Sequence, residues 1–400
     1  MKKFFAVAVW YWAVIALYGY LIRQHTYSPL PFIEKYAYWL HAHSHAAFLG
    51  WLHAGFAVLL AYVLFPEFAR TQRFKYWFVI MQLLVAGMLI SFPLQGYKAV
   101  SITLLSLFLV GTYFYARYLF AKNEFASRLP ATTAFAKAGV IFMLISSLSP
   151  WALGPVMVFL GKKSVWYQLD IYFYLHFQYN GWFFTAMLAL MIYLFEHNGV
   201  KIPENTWKKA LMWLFAGIFW GYITNTLWID PPLYFNIIAL ASVLMEGYGL
   251  WILFRFLKKH FHRIPLMPMQ QKMFKWLTGA IAFKVMLQFA ASCPYYAELA
   301  YIVRDLVIGY IHFVMLGILS VALLLLAGYL KLFRLSATTF WIYFSGMLAM
   351  VGAIWWRGFS VWQKIPVTRT TNLILVITAL WTMTGVFLIA WYGSKNVCQD

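Results

Sequence analysis

Charge is what this chain has least of. Only 10% of its 400 residues are Asp, Glu, Lys or Arg, where a soluble domain carries about 25%. Acidic residues are scarcest, 11 against 31 lysines and arginines. So little charge cannot cover a water-soluble core, which excludes an ordinary soluble domain. The basic excess lies mostly in the short stretches between apolar runs. That pattern points to membrane topology and away from nucleic-acid binding. Only two cysteines occur; Cys293 is expected at the end of a helix and Cys398 in the C-terminal tail. No disulfide framework is implied, and the lack of a Cys-x-x-Cys-His run gives no support to covalent c-type haem. No small-residue cleavage site follows the first apolar segment, so it is read as a retained helix and not a removed signal.

What is present is apolar length. Hydrophobic residues make up 64% of the chain, and mean hydropathy is +0.73. Unbroken runs such as "VIGYIHFVMLGILSVALLLLAGYL" favour helices, because barrel strands alternate apolar and polar residues. Twelve segments of spanning length are predicted, roughly 4–22, 37–65, 75–95, 98–121, 134–158, 168–195, 208–227, 233–257, 271–293, 304–331, 339–356 and 371–393. The connections are short, so residues 1–400 form a single membrane domain with lipid as its solvent. Most lysines and arginines, among them Lys2, Lys3, Arg70, Lys122, Lys258 and Lys259, then share one side. Both termini are placed there, in the cytoplasm.

A faint internal repeat runs through the chain. "HAAFLGW" (45–51), "HFQYNGW" (176–182) and "HFVMLGI" (312–318) each read His-x-x-x-x-Gly followed by a large apolar residue. They fall on predicted helices 2, 6 and 10, the second of each successive four. The four-helix groups are about 1–125, 126–260 and 261–400. Each histidine is about eight residues inside the outer end, roughly 12 Å deep.

Histidine is costly in hydrocarbon without a partner. Here His41, His43, His45, His53, His176 and His312 all lie in apolar segments. His41 and His45 are i,i+4 and share a helix face, with His43 on the opposite side. The remaining four, His25, His197, His260 and His262, are expected in loops. A haem between helices needs imidazole at matching depth, small residues near the disc and a cationic anchor for its propionates. The histidines meet the first need, and the alternative for them is bonding to backbone or to each other. Gly50, Gly181 and Gly317 can give clearance or close helix packing. Arg357, with Trp355 and Trp356, can reach propionates or belong to an interfacial belt. Arg304 is a second anchor or a partner for Asp305. Glu246 and Lys284, near mid-membrane, read first as a buried ion pair and second as a proton path.

On these residues the chain resembles the catalytic subunit I superfamily of haem–copper oxidases and nitric oxide reductases, and the haem-containing NnrS family linked to nitric oxide stress. "HSHAAFLGW" (43–51) is similar to the His-x-His helix of the cbb3-type oxidases, where one histidine binds each haem. "HAH" (41–43) is similar to an early helix of NnrS. The resemblance implies an all-α fold of 12 transmembrane helices in three pseudo-threefold arcs, in a bacterial inner membrane. It implies one or two b-type haems, His45 and His312 on one iron, and His43 or His41 with His176 serving a second haem or another metal. An electron donor, quinol or cytochrome, and other respiratory subunits are implied as partners. The copper site departs from the pattern: His176 is followed by Asn180 at the fourth step, helix 7 has no histidine, and helix 10 has only His312. A complete copper site is therefore not expected.

The function expected is haem-based respiratory electron transfer or nitric oxide or oxygen chemistry, with oxidoreductase activity left open. The alternatives are a non-catalytic subunit of a respiratory complex, or a transporter or channel with a histidine-lined path. Pro150 and Pro155 in "SLSPWALGP" would serve the latter as a helix break.

Overall fold

Lipid offers backbone groups no partner, so apolar runs fold as helices that satisfy themselves. The computed structural model describes residues 1–121 and 127–397, without the side chains of 396 and 397; Lys122 and Cys398 lie outside the described residues. Among the described residues every regular element is a helix. The long helices are α1 (Lys2–Tyr27), α2 (Tyr36–Leu64), α3 (Gln72–Gln95), α4 (Ala99–Phe120), α5 (Pro130–Phe159) and α6 (165–197). They continue with α7 (Glu204–Ile229), α8 (Tyr234–Arg263), α9 (Pro268–Ala291), α10 (Arg304–Tyr329), α11 (Ala337–Trp362) and α12 (Arg369–Val397).

Ten described helices are long and apolar enough to cross a membrane, or 11 if α9 and the helix Pro294–Ile302 make one span bent by 100°. The bend falls at Ser292 and Cys293, just before Pro294, where a proline disfavours helix in the preceding residue. The helix outside the apolar set is α6. It carries Gln168, Asp170, His176, Gln178 and Asn180, and every residue from 176 to 195 is buried. A helix covered by protein needs no lipid-compatible face. All four histidines expected in loops end helices instead: His25 in the last turn of α1, His197 at the end of α6, and His260 and His262 near the end of α8.

The chain divides into two compact units, Met1–Phe114 with Val303–Asp400, and Tyr115–Ile302. In the first unit α2 and α10 are the inner helices, 89% and 78% buried over their apolar windows. Trp12 of α1 stacks on Trp51 of α2, ring centroids 4.8 Å apart and planes 3° from parallel. Trp51 Nε1 donates to Ser320 Oγ of α10 at 2.8 Å. Gly385 of α12 lies so close to α11 that a Cβ there would come 2.4 Å from the Tyr343 backbone. In the second unit α7 and α8 pack as closely, since a Cβ on Gly217 would lie 2.4 Å from Glu246 N. Small residues allow such approach where no hydrophobic force drives helices together. The Glu196 carboxylate accepts from the Ala131 and Thr132 amides at 3.0 and 2.9 Å, supplying partners at the start of α5.

The internal repeat has a structural counterpart. π-helical turns replace α-helix at Ala47–His53, His176–Phe183 and Phe313–Ser320. Each contains the glycine of one repeat: Gly50, Gly181 or Gly317. In the third, Ser320 Oγ donates to Met315 O, five residues back, at 2.8 Å. Tyr343 OH donates to Leu316 O at 2.8 Å. Side chains thus take up carbonyls that the wider turn leaves exposed. Such turns are rare and concentrate at functional sites.

Candidate functional site

The first unit brings together α1, α2, α10 and α11. His43 on α2 and His312 on α10 face each other, ring centroids 6.4 Å apart and planes 17° from parallel. His43 Nδ1 is 3.0 Å from Ile15 O of α1. His312 Nδ1 is 2.8 Å from Ile308 O, one turn back in its own helix. A carbonyl only accepts, so Nδ1 carries the hydrogen on both rings and Nε2 keeps its lone pair. No hydrogen bond to either Nε2 is formed among the described residues. The His43 ring lies over Gly19, where a Cβ would stand 2.9 Å from Cε1. Both residues are half-buried.

Beside this pair lies a charge cluster. Arg357 of α11 grips Asp305 of α10 with both ends of its fork, Nε to Oδ2 at 2.7 Å and a terminal nitrogen to Oδ1. Arg23 of α1 is within electrostatic range of Arg357, Asp305 and His43. Arg357 alone is ion-paired to the carboxylate, and Arg23 adds a further positive charge beside the imidazoles. Asp305 takes Arg357 as its partner, not Arg304, which is exposed. Trp356 is 54% exposed, as in an interfacial belt. Trp355 Nε1 donates to Leu306 O at 3.3 Å.

The histidine facing His312 is His43. His45 is turned to the other side of α2, where its Nε2 meets Tyr97 OH at 2.6 Å and its ring stacks on Phe92 at 4.8 Å. His41 contacts the Tyr97 ring at 4.6 Å, on that same face. The opposition of His43 to His41 and His45 follows the helical spacing. His53 is buried beside Phe108, centroids 5.3 Å apart.

In the second unit His176 has both ring nitrogens engaged. Nε2 donates to Ile218 O at 2.8 Å, and Nδ1 accepts from Asn225 Nδ2 at 3.1 Å, with Asn180 Nδ2 at 3.4 Å. Ile218 lies one turn before Tyr222, where α7 tightens to 3₁₀ geometry, so His176 braces that transition. Lys284 Nζ meets Glu246 Oε1 at 2.8 Å and Gln288 Oε1 at 2.9 Å. Gln288 Nε2 returns to Glu246 Oε2 at 3.3 Å, closing a ring of polar contacts. The ammonium also lies 4.5 Å from the Phe184 ring centroid. The two buried charges thus satisfy each other.

No group of three or more His, Cys, Asp and Glu placed to hold a metal ion occurs among the described residues. Sequence reasoning passed over Arg23, Tyr97 and Asn225. Arg23 is a single cation at the end of an apolar run, and only the fold brings it to His43. Tyr97 follows Gly96 in a turn, which was its one local signal. No family model matches the chain, and neither does any curated protein.

Proposed function

We propose that the chain is a haem b-binding integral membrane protein of the haem–copper oxidase-like superfamily that carries electrons in a respiratory membrane. The observation carrying this is the His43–His312 pair. Two metal–nitrogen bonds of about 2 Å, plus about 1 Å from each nitrogen to its ring centre, separate the centroids of two axial imidazoles by about 6 Å. The observed 6.4 Å fits that separation. Ligating histidines almost always donate their other N–H to a carbonyl or carboxylate, as the Nδ1 contacts here do. His43 and His312 would hold the iron, and Arg23 and Arg357 would face the propionates.

Haem, when bound, supplies a one-electron redox centre. The chain's own groups do the rest. Held by His43 and His312 together, the group would favour electron carriage over binding of a gas. The Ile15 and Ile308 carbonyls fix the tautomers, and the guanidiniums offset carboxylate charge. With both nitrogens of His176 engaged, the second unit offers no imidazole lone pair at that position, which favours one haem. A closed centre suits a subunit that passes electrons to or from a partner, with a quinol or a cytochrome as donor. The order of the long helices, with a π turn in α2, α6 and α10, supports three successive four-helix groups along the chain. Both termini are assigned to the cytoplasm of a bacterial inner membrane.

The test is haem content after purification in detergent. His43→Ala and His312→Ala should each lose the haem absorbance, while His45→Ala should keep it. A folded but colourless wild-type protein from haem-replete cells would overturn the proposal.

A further inference from the structure

The opposite face of α2 carries a second group of potential ligands that the haem proposal does not use. We propose that His41, His45 and Tyr97 form a binding site for one divalent transition-metal ion, Cu²⁺ in preference to Zn²⁺. Histidines at i,i+4 project from one helix face within reach of a single ion, the spacing that zinc-binding helices use. Tyr97 supplies a third ligand, an oxygen. Its OH stands 2.6 Å from His45 Nε2. Two ligand atoms each about 2 Å from one ion are about 3 Å apart, so only a small opening of this contact admits the metal. The His41 ring lies against the Tyr97 ring at 4.6 Å.

The surroundings hold these groups in place. The His45 ring stacks 13° from parallel on Phe92. Tyr97 follows Gly96, whose φ of 65° turns the chain between α3 and α4. A Cβ at Gly96 would lie 2.3 Å from the Tyr38 ring, so glycine is required for space as well as for conformation. Ser101 Oγ donates to Gly96 O at 2.5 Å and closes the turn. His41, His45 and Tyr97 are half-buried, which leaves an ion a way in.

The chemistry balances without a redox partner. The ion takes imidazole lone pairs from His41 and His45 and displaces the hydroxyl proton of Tyr97, so one proton is released per ion bound. Imidazole and phenolate donors place Cu²⁺ above the other divalent first-row ions.

The experiment is a Cu²⁺ titration of the purified full-length protein against a competing chelator, followed by EPR, visible absorbance and proton release. The expected result is one equivalent bound, with nitrogen hyperfine structure, a phenolate-to-copper band and one proton released. His45→Ala should abolish it, and His41→Ala should weaken it by about tenfold or more. Tyr97→Phe should keep the nitrogen pattern and lose the band and the proton. Gel filtration and circular dichroism of each variant establish that it is folded. Absence of saturable binding, or equal binding in folded His41→Ala/His45→Ala protein, overturns the proposal; a band surviving in Tyr97→Phe removes Tyr97 from the site. The copper signals are read separately from haem content, so each proposal can fail alone.

Discussion

Arg357 and Asp305 form a two-pronged ion pair between α11 and α10, with Arg23 as a second cation beside it. The pair is mostly shielded, its side chains 18% and 12% exposed. Removing one partner of such a pair strands the other charge, and a fully buried case costs about 3–5 kcal/mol. Partial exposure puts Arg357→Leu nearer about 2 kcal/mol. Arg357→Leu should therefore lower the melting temperature in detergent and speed haem loss. Asp305→Asn should destabilise the fold but leave two guanidiniums for the propionates. Equal retention of haem in wild type and Arg357→Leu would remove Arg357 from the anchor.

The Glu246–Lys284–Gln288 ring predicts a characteristic double-mutant cycle. Lys284→Met alone leaves a buried carboxylate and should cost about 3–5 kcal/mol. Glu246→Leu combined with Lys284→Met should recover most of that loss, because a matched apolar pair replaces a matched ionic one. Thermal unfolding of the four proteins provides the check. Additive losses would show that the two charges are not coupled.

His176 should prove to be a brace. His176→Ala removes a donor to Ile218 O and an acceptor for Asn225, and should destabilise the fold by about 2 kcal/mol. Haem content per folded molecule should be unchanged. Loss of half the haem in a folded His176→Ala protein would instead place a second haem there.

Ser320 joins two of the three π turns' helices, accepting from Trp51 and donating to Met315 O. Ser320→Ala should cost about 1–3 kcal/mol by leaving the Trp51 N–H buried and unpaired. Trp51→Phe/Ser320→Ala should cost less than the sum of the single changes. A strictly additive cycle, measured by unfolding, would mean that the contact is not formed.

Much of this was legible in the chain. The apolar runs announced the helices, and the His-x-x-x-x-Gly repeat marked all three π turns. The spacing of His41, His43 and His45 told which share a face, and Glu246 with Lys284 read as a pair. Sequence pattern does not tell which face of α2 looks at α10; the resemblance implies His45 with His312, where the structure sets His43. That choice depends on the rotation of α2 about its own axis, which is fixed by contacts such as Trp51 with Trp12 and Ser320. That α6 is covered by protein over 176–195 was not legible, because apolarity alone cannot tell lipid from protein as a neighbour. Arg23, Tyr97 and Asn225 stayed hidden because each is a lone residue brought into place by tertiary packing.

The most direct measurement is the low-temperature EPR spectrum of the oxidised, purified protein. Axial ligation by His43 and His312 predicts a low-spin ferric signal, lost in His43→Ala and in His312→Ala and kept in His45→Ala. A high-spin signal, no haem signal, or a low-spin signal that survives loss of His43 would contradict it.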